Sequence, residues 1–262
     1  MRCGLIMVIW AWLGAILIGL SLGLLGSGGS ILTVPVLVYL VGQDEKVAFA
    51  GSLAIVGLIS LVSAFAYARK DLVDWRSAMF FGLPGMVGAV LGAYFARYIP
   101  SWMQMLLFAV LLLVAAWLMF RPINLDNAPT EARAFWKVGL DGLIVGALTG
   151  LVGVGGGFLI IPALVLLGGL SMNVAVGTSL VIITMKSASG FWEYLHVLED
   201  LNLSLDWGLI GLFSLLGIAG AQLGQRLNSR LPQALLRRLF AVFLLFMGAF
   251  IAWRNLPQLL GV

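Results

Sequence analysis

Thirteen residues of this chain are written twice. Gly23 to Pro35 reads GLLGSGGSILTVP, and Gly150 to Pro162 reads GLVGVGGGFLIIP. Both stretches lie inside apolar runs, both are rich in glycine, and both close on a proline. In a membrane interior such residues loosen a helix where no water can satisfy the freed backbone groups. Irregular backbone survives at that depth only where protein or a water-filled cavity takes up its polar groups. A chain that breaks itself twice in the same way therefore has to build a setting for the breaks.

The membrane setting follows from composition. The chain of 262 residues is 62% hydrophobic and 10% charged, with a mean hydropathy of +1.10. Soluble domains are about a quarter charged. Continuous apolar runs exclude a membrane β-barrel, whose strands alternate polar and apolar. One cysteine, Cys3, permits neither an internal disulfide nor a cysteine metal cluster. The net charge of +4 is assigned to loop lysines and arginines that orient the chain, so no nucleic-acid partner is expected. The apolar N-terminal run behind Arg2 mimics a signal peptide. It is long, lacks a small-x-small cleavage site and ends in the repeated motif, so a retained transmembrane segment is expected.

The duplication extends beyond the glycines. An offset of 127 carries Gly26 to Gly153, Gly28 to Gly155, Gly29 to Gly156, Pro35 to Pro162 and Ser52 to Ser179. A five-residue insertion then shifts the offset to 132, which carries Asp74-Trp75 to Asp206-Trp207, Gly85 to Gly217 and Pro100 to Pro232. The expected fold is an all-α polytopic membrane protein of two repeats, residues 1–120 and 138–262, joined by a polar, proline-bearing linker at 121–137. Five apolar segments are expected in each half, at 5–26, 30–41, 46–68, 77–97 and 102–120, then 138–154, 157–170, 174–192, 207–225 and 234–253. Most reach the roughly 20 residues that a spanning helix needs. The second of each half is short, and either crosses incompletely or enters and returns.

Loop charge separates these alternatives. The 69–76 loop carries Arg69, Lys70 and Arg76, whereas its counterpart at 192–206 carries Glu193, Glu199, Asp200 and Asp206 and no Lys or Arg. Loop 226–238 carries four arginines, against Arg97 alone near its counterpart. Matching loops of opposite charge imply inverted halves, hence five crossings each, with the linker and loops 69–76 and 226–238 in the cytoplasm and both termini outside.

Inverted repeats with short, Gly/Pro-interrupted segments in matching positions point to a secondary transporter working by alternating access. A short helix is expected to start after each glycine cluster. Its first N–H groups lack intrahelical partners and its dipole end is positive, so two such ends facing each other suit an anion. The candidate substrate-binding residues are Gly26, Ser27, Gly28, Gly29 and Ser30 at the first break and Gly153, Gly155, Gly156 and Gly157 at the second. Gly51, Ser52, Thr178 and Ser179 form the second repeated element, and Lys186 is a cation inside an expected span. Each has a plainer alternative. Glycines serve close helix packing, hydroxyls back-bond their own helix, and Lys186 snorkels to the interface. GMVGAVLG and GIAGAQLG read as helix packing, Asp141 as interfacial and His196 as a solvated loop residue. No hydrolase elbow or zinc helix signature occurs, and GVGGG lacks the Lys-Ser/Thr of a phosphate-binding loop. No enzyme site and no cofactor are expected. The alternatives are a transporter of cations or neutral solutes, or a membrane scaffold.

Two halves that each open with G-x-G-G-(G/S)…P, followed by AGSL in the first and GTSL in the second, resemble the TauE/SafE family of membrane permeases, the sulfite exporters. GLVGVGGGFLIIPAL with AVGTSL carries the resemblance most specifically. The first half departs from it, with GSGGS for GVGGG and AGSL for GTSL. The resemblance implies a multi-pass protein of the bacterial inner membrane that moves sulfite, a sulfonate such as sulfoacetate, or a related organic anion. The implied partners are that small anion, the lipid bilayer and protons or another coupling ion.

Overall fold

The computed structural model describes residues 2–120, 135–155, 157–228 and 231–259. These residues form ten α-helices: α1 (Arg2–Leu25), α2 (Gly28–Pro35), α3 (Glu45–Ala68), α4 (Trp75–Ala96), α5 (Ser101–Phe120), α6 (Phe135–Val152), α7 (Gly157–Pro162), α8 (Met172–Asp200), α9 (Trp207–Asn228) and α10 (Gln233–Leu259). Six of them, α3, α4, α5, α8, α9 and α10, are long and apolar enough to cross a bilayer. The protein is an all-α polytopic membrane protein. Linker residues 121–134 lie outside the described residues, and α6 already begins at Phe135.

Local sequence explains where the helices stop. Gly26 and Gly153 take positive φ angles of 71° and 65°, a left-handed turn that side chains resist, and they end α1 and α6. Pro35 and Pro162 lack a backbone N–H and crowd the preceding turn. Past each proline the helix loosens into a π turn, Val36–Leu40 and Ala163–Leu167, closed by the bonds Val41 N to Val36 O and Gly168 N to Ala163 O. The repeated Asp-Trp pairs start helices. Asp74 Oδ1 accepts from Arg76 N at 3.2 Å ahead of α4, and Asp206 Oδ1 accepts from Leu209 N at 3.0 Å ahead of α9.

One expected boundary is corrected. The loop expected at 192–206 is helix as far as Asp200, so α8 has 29 residues where α3 has 24. The five-residue insertion is extra helix, which stops at Asn202 with a φ of 53°. His196 accordingly sits on an exposed helical face, its Nδ1 3.0 Å from the Trp192 carbonyl. Tyr67 and Tyr194, also 127 apart, reach from α3 and α8 to the carbonyls of Gly23 and Leu151 near the ends of α1 and α6.

The helices pack by exchange between the two ends of the chain. Gly19 and Gly23 of α1 press on the backbone of Gly217 and Ala221 in α9, and Gly220 and Gly224 press back on Ile16 and Leu20. In the same way Gly142, Gly146 and Gly150 of α6 meet the carbonyls of Phe81, Gly85 and Ala89 in α4. Small residues let these backbones approach closely where lipid offers no hydrophobic drive. Helices α1 and α9 run parallel, as do α4 and α6. Helices α3 and α8 run antiparallel at the centre, where Leu53 meets Gly190 and Gly57 meets Ser187. Because α3 also runs parallel to α9, with Ile59 against Gly217, the stretch 28–40 returns the chain from the end of α1 to the start of α3.

Candidate functional site

The two breaks meet. A methyl group on Gly157, at the start of α7, would overlap Ser27 at the start of α2. Each break also leans on the central helix of the other half. Gly26 lies against Val176 of α8, and Gly153 lies against Phe49 of α3, the residue 127 positions earlier than Val176.

The carbonyls freed by the breaks are taken up by the repeated serines. Ser52 Oγ donates to Gly153 O at 3.0 Å. Ser179 Oγ lies 3.4 Å from Gly26 O and 2.8 Å from Val176 O. Ser30 Oγ donates to Ser27 O at 2.7 Å. Thr178 Oγ1 accepts from Asp74 N at 2.9 Å, so it anchors the turn before α4. Gly28 and Gly29 pack on Ser21 and Ile18 of α1, and Gly51 is buried beside Leu37. Gly156 lies outside the described residues.

Three polar groups in this region have no partner among the described residues. Ser27 stands at the N-cap of α2, where a serine ordinarily caps, yet its hydroxyl makes no capping bond and its fully buried Oγ has no partner. Ser187 Oγ on α8 is equally buried and unpartnered, and a methyl on Gly155 would lie 2.9 Å from it. Ser27 at Gly157 and Ser187 at Gly155 thus bracket the second break. Lys186 is 1% exposed with no partner for Nζ. It does not snorkel. Its stem lies against Gly85 of α4, with Cδ 3.2 Å from a methyl placed there.

The sequence reading passed over Ser187 and its register mate, Ser60 of α3, which is buried and unpartnered too. The signal was available: the 127 offset holds through Ser60/Ser187 to Tyr67/Tyr194. Lys46 was also passed over. It is buried at the start of α3, and its Nζ donates to Gln104 Oε1 at 2.7 Å and to Ile99 O at 3.0 Å, a structural tie to α5.

Beside the break, the seam between α3 and α9 is open at both ends. A cavity of about 460 Å³ lies between α3, α8 and α9, with Ser187, Gly57, Gly211 and Trp207 in its lining. A second, of about 320 Å³, lies toward the other end and is lined by Ser63, Lys70, Gln222, Gln225 and Arg226. Between the two levels Ile59 fills the space beside Gly217. Lys186 and Gly85 occupy the matching positions on the α8–α4 seam, by the offsets 127 and 132. That seam is tied at one end by Arg97, which meets Glu193 and Asp200 at 3.0 Å each.

A bundle of membrane-crossing helices with broken segments packed at its centre, and unpaired hydroxyls around them, belongs to the membrane transporters. The chain is a member of the Sulfite exporter TauE/SafE family, whose model matches residues 11–251. It is 33% identical over 252 residues to a Xylella fastidiosa protein named "Probable membrane transporter protein", covering 94% of this chain and 95% of that one. A Bacillus subtilis protein of the same description is 29% identical over 266 residues, covering 89% and 94%. One from Methanocaldococcus jannaschii is 26% identical over 249 residues, covering 90% and 93%. No solved structure matches the chain.

Proposed function

We propose that this transporter is a secondary permease for a small anion, sulfite or a sulfonate such as sulfoacetate, bound between the two broken helices. Ser27 carries the reading. A fully buried hydroxyl at a helix start, with no partner among the described residues, is costly unless something else accepts from it. The N–H groups of Gly28 and Gly29 at the start of α2 have no intrahelical acceptor. An oxyanion supplies acceptors for both, and Ser187 adds a second O–H donor across the break. The site then needs no formal positive charge, which suits the interior of a bilayer. Lys186 adds a buried amino group within the same bundle.

The packing supports alternating access as the mechanism. The two halves act as inverted repeats, a reading supported by the antiparallel α3 and α8 and by the exchanged partners, α1 on α9 and α6 on α4. Rocking one half against the other opens the α3–α9 seam or the α8–α4 seam in turn, driven by protons or by the substrate gradient. The setting is a bacterial inner membrane, with the lysine- and arginine-rich loops inside.

The test is flux. Purified protein in liposomes moves labelled sulfite or a short sulfonate, and the moved anion raises the apparent Tm through binding to the folded state. If no anion in a broad panel is moved or stabilises the protein while a cation or neutral solute is, the anion reading fails.

A further inference from the structure

The cavity of about 320 Å³ at the basic end of the α3–α9 seam has three kinds of wall. Val62, Phe65, Ala66 and Ile218 line it with carbon. Val62 and Phe65 are exposed on the outer surface of the bundle, so this wall continues into the lipid. Two cations line it as well, Lys70 just past the end of α3 and Arg226 in the last turn of α9. A third, Arg69, lies over the ring of Phe65 at 4.4 Å. The rest of the lining is Ser63, Gln222 and Gln225. Ser63 and Gln225 are only 2% and 8% exposed, yet neither side chain bonds to another described residue. Their polar ends are not sealed in, as that of Ser187 is, and they open on the cavity. Cations at helix C-termini are ordinary, since they complement the helix dipole and snorkel. Two buried polar side chains left without partners beside such cations are not, because each costs free energy until something in the cavity bonds it.

We propose that this cavity binds the headgroup of an anionic, hydroxyl-bearing phospholipid of the phosphatidylglycerol type, drawn from the leaflet at this end of the bundle. The phosphodiester meets Lys70 and Arg226, the glycerol hydroxyls meet Gln225 and Ser63, and the acyl chains run along Val62 and Phe65. Basic pockets between membrane helices suit anionic headgroups in this way. A free oxyanion satisfies the cations but leaves the lipid-open apolar wall without contacts. A phosphatidylethanolamine brings an ammonium to a lining that holds no carboxylate. The site is independent of the solute that the protein moves, so it stands or falls apart from the anion-permease reading.

A lipid titration supplies the test. The full chain is stripped of lipid in detergent, and its apparent Tm is followed as dioctanoyl phosphatidylglycerol, dioctanoyl phosphatidylethanolamine or inorganic phosphate is added. Phosphatidylglycerol is expected to raise the melt at concentrations about tenfold or more below the other two. Lys70→Gln and Gln225→Leu are each expected to raise the concentration required by roughly five- to tenfold, the net worth of one polar contact. Lys137→Gln, which removes a cation at the start of α6, is expected to leave it within about twofold. Lys70 is exposed, so Lys70→Gln leaves the packing untouched and carries the test if Gln225→Leu melts early without lipid. No response to phosphatidylglycerol, or an equal response to phosphatidylethanolamine, overturns the proposal. Stabilisation by phosphate at the same concentrations makes the cavity a site for free anions and overturns the lipid. An equal loss in Lys137→Gln means diffuse attraction to the basic end and overturns the cavity as its seat.

Discussion

Ser27 and Ser52 are both fully buried serines at a break, and their hydroxyls have opposite duties. Ser52 donates to the carbonyl of Gly153, which otherwise faces the membrane interior unpaired. Ser52→Ala is therefore expected to lower stability by about 1–3 kcal/mol, read as a fall in apparent Tm in detergent. Ser27 bonds nothing. Ser27→Ala should leave the melt unchanged or slightly raised and weaken anion affinity by about five- to tenfold, the net worth of one hydrogen bond. A Ser27→Ala variant that melts early and transports normally would reverse the two assignments. Lys186 extends the contrast to a charge. Lys186→Met replaces an unpartnered buried amine with a flexible apolar side chain, so the melt should rise. Anion uptake should fall with it, and full uptake would take Lys186 off the anion's path. The serines at 27, 30, 52 and 179 were visible in the sequence because they sit in duplicated motifs. Ser30 and Ser179 back-bond within their own segments, an alternative the sequence left open, whereas the bond of Ser52 was not visible, since its carbonyl lies 101 residues away. Ser60 and Ser187 escaped notice because a lone serine in an apolar run has no local signature.

At the scale of elements, the glycines divide by what surrounds them. Gly153 and Gly42 both hold positive φ, 65° and 77°. Gly153 sits hard against Phe49, whereas Gly42 has open space around it. Gly42→Ala is expected to cost about 1 kcal/mol, the strain of a left-handed alanine alone. Gly153→Ala adds an overlap with the Cβ and ring of Phe49 on α3 and should abolish the monodisperse folded peak in size-exclusion chromatography. If the two variants behave alike, the second break is not packed on α3. The breaks and the short helices were legible because glycine and proline act on their own backbone. The extent of α8 was not. Residues 192–200 carry Glu, His and Asp, which suit a loop, but the five inserted residues keep the helix going and set Val197 and Leu198 in the core. Packing of GMVGAVLG and GIAGAQLG was legible as packing. Their partners, α6 and α1, lie across the chain and leave no local trace.

At the scale of the whole molecule, the two seams differ. The α4–α8 seam is held at one end by Arg97, while the α3–α9 seam carries two cavities parted by Ile59. Surface ion pairs are worth about 0–1 kcal/mol each, so the Arg97 tie can be released within a transport cycle. If the α3–α9 seam has to open and close, locking it stops flux. In a Cys3→Ser background, joining Leu58→Cys to Gly211→Cys with a cleavable bifunctional reagent should halt uptake, and cutting the linker should restore it. Unchanged flux through the locked protein would show that this seam stays still. The exchange of packing partners reaches further than transport. Gly19 and Gly23 of α1 press on Gly217 and Ala221 of α9. During synthesis the first helix therefore waits in the membrane, glycine face bare, until the ninth has left the ribosome, about 10–40 s later at ordinary elongation rates. For that interval the oldest part of the protein depends on the insertion machinery, or on lipid, for the company that its own chain has yet to provide.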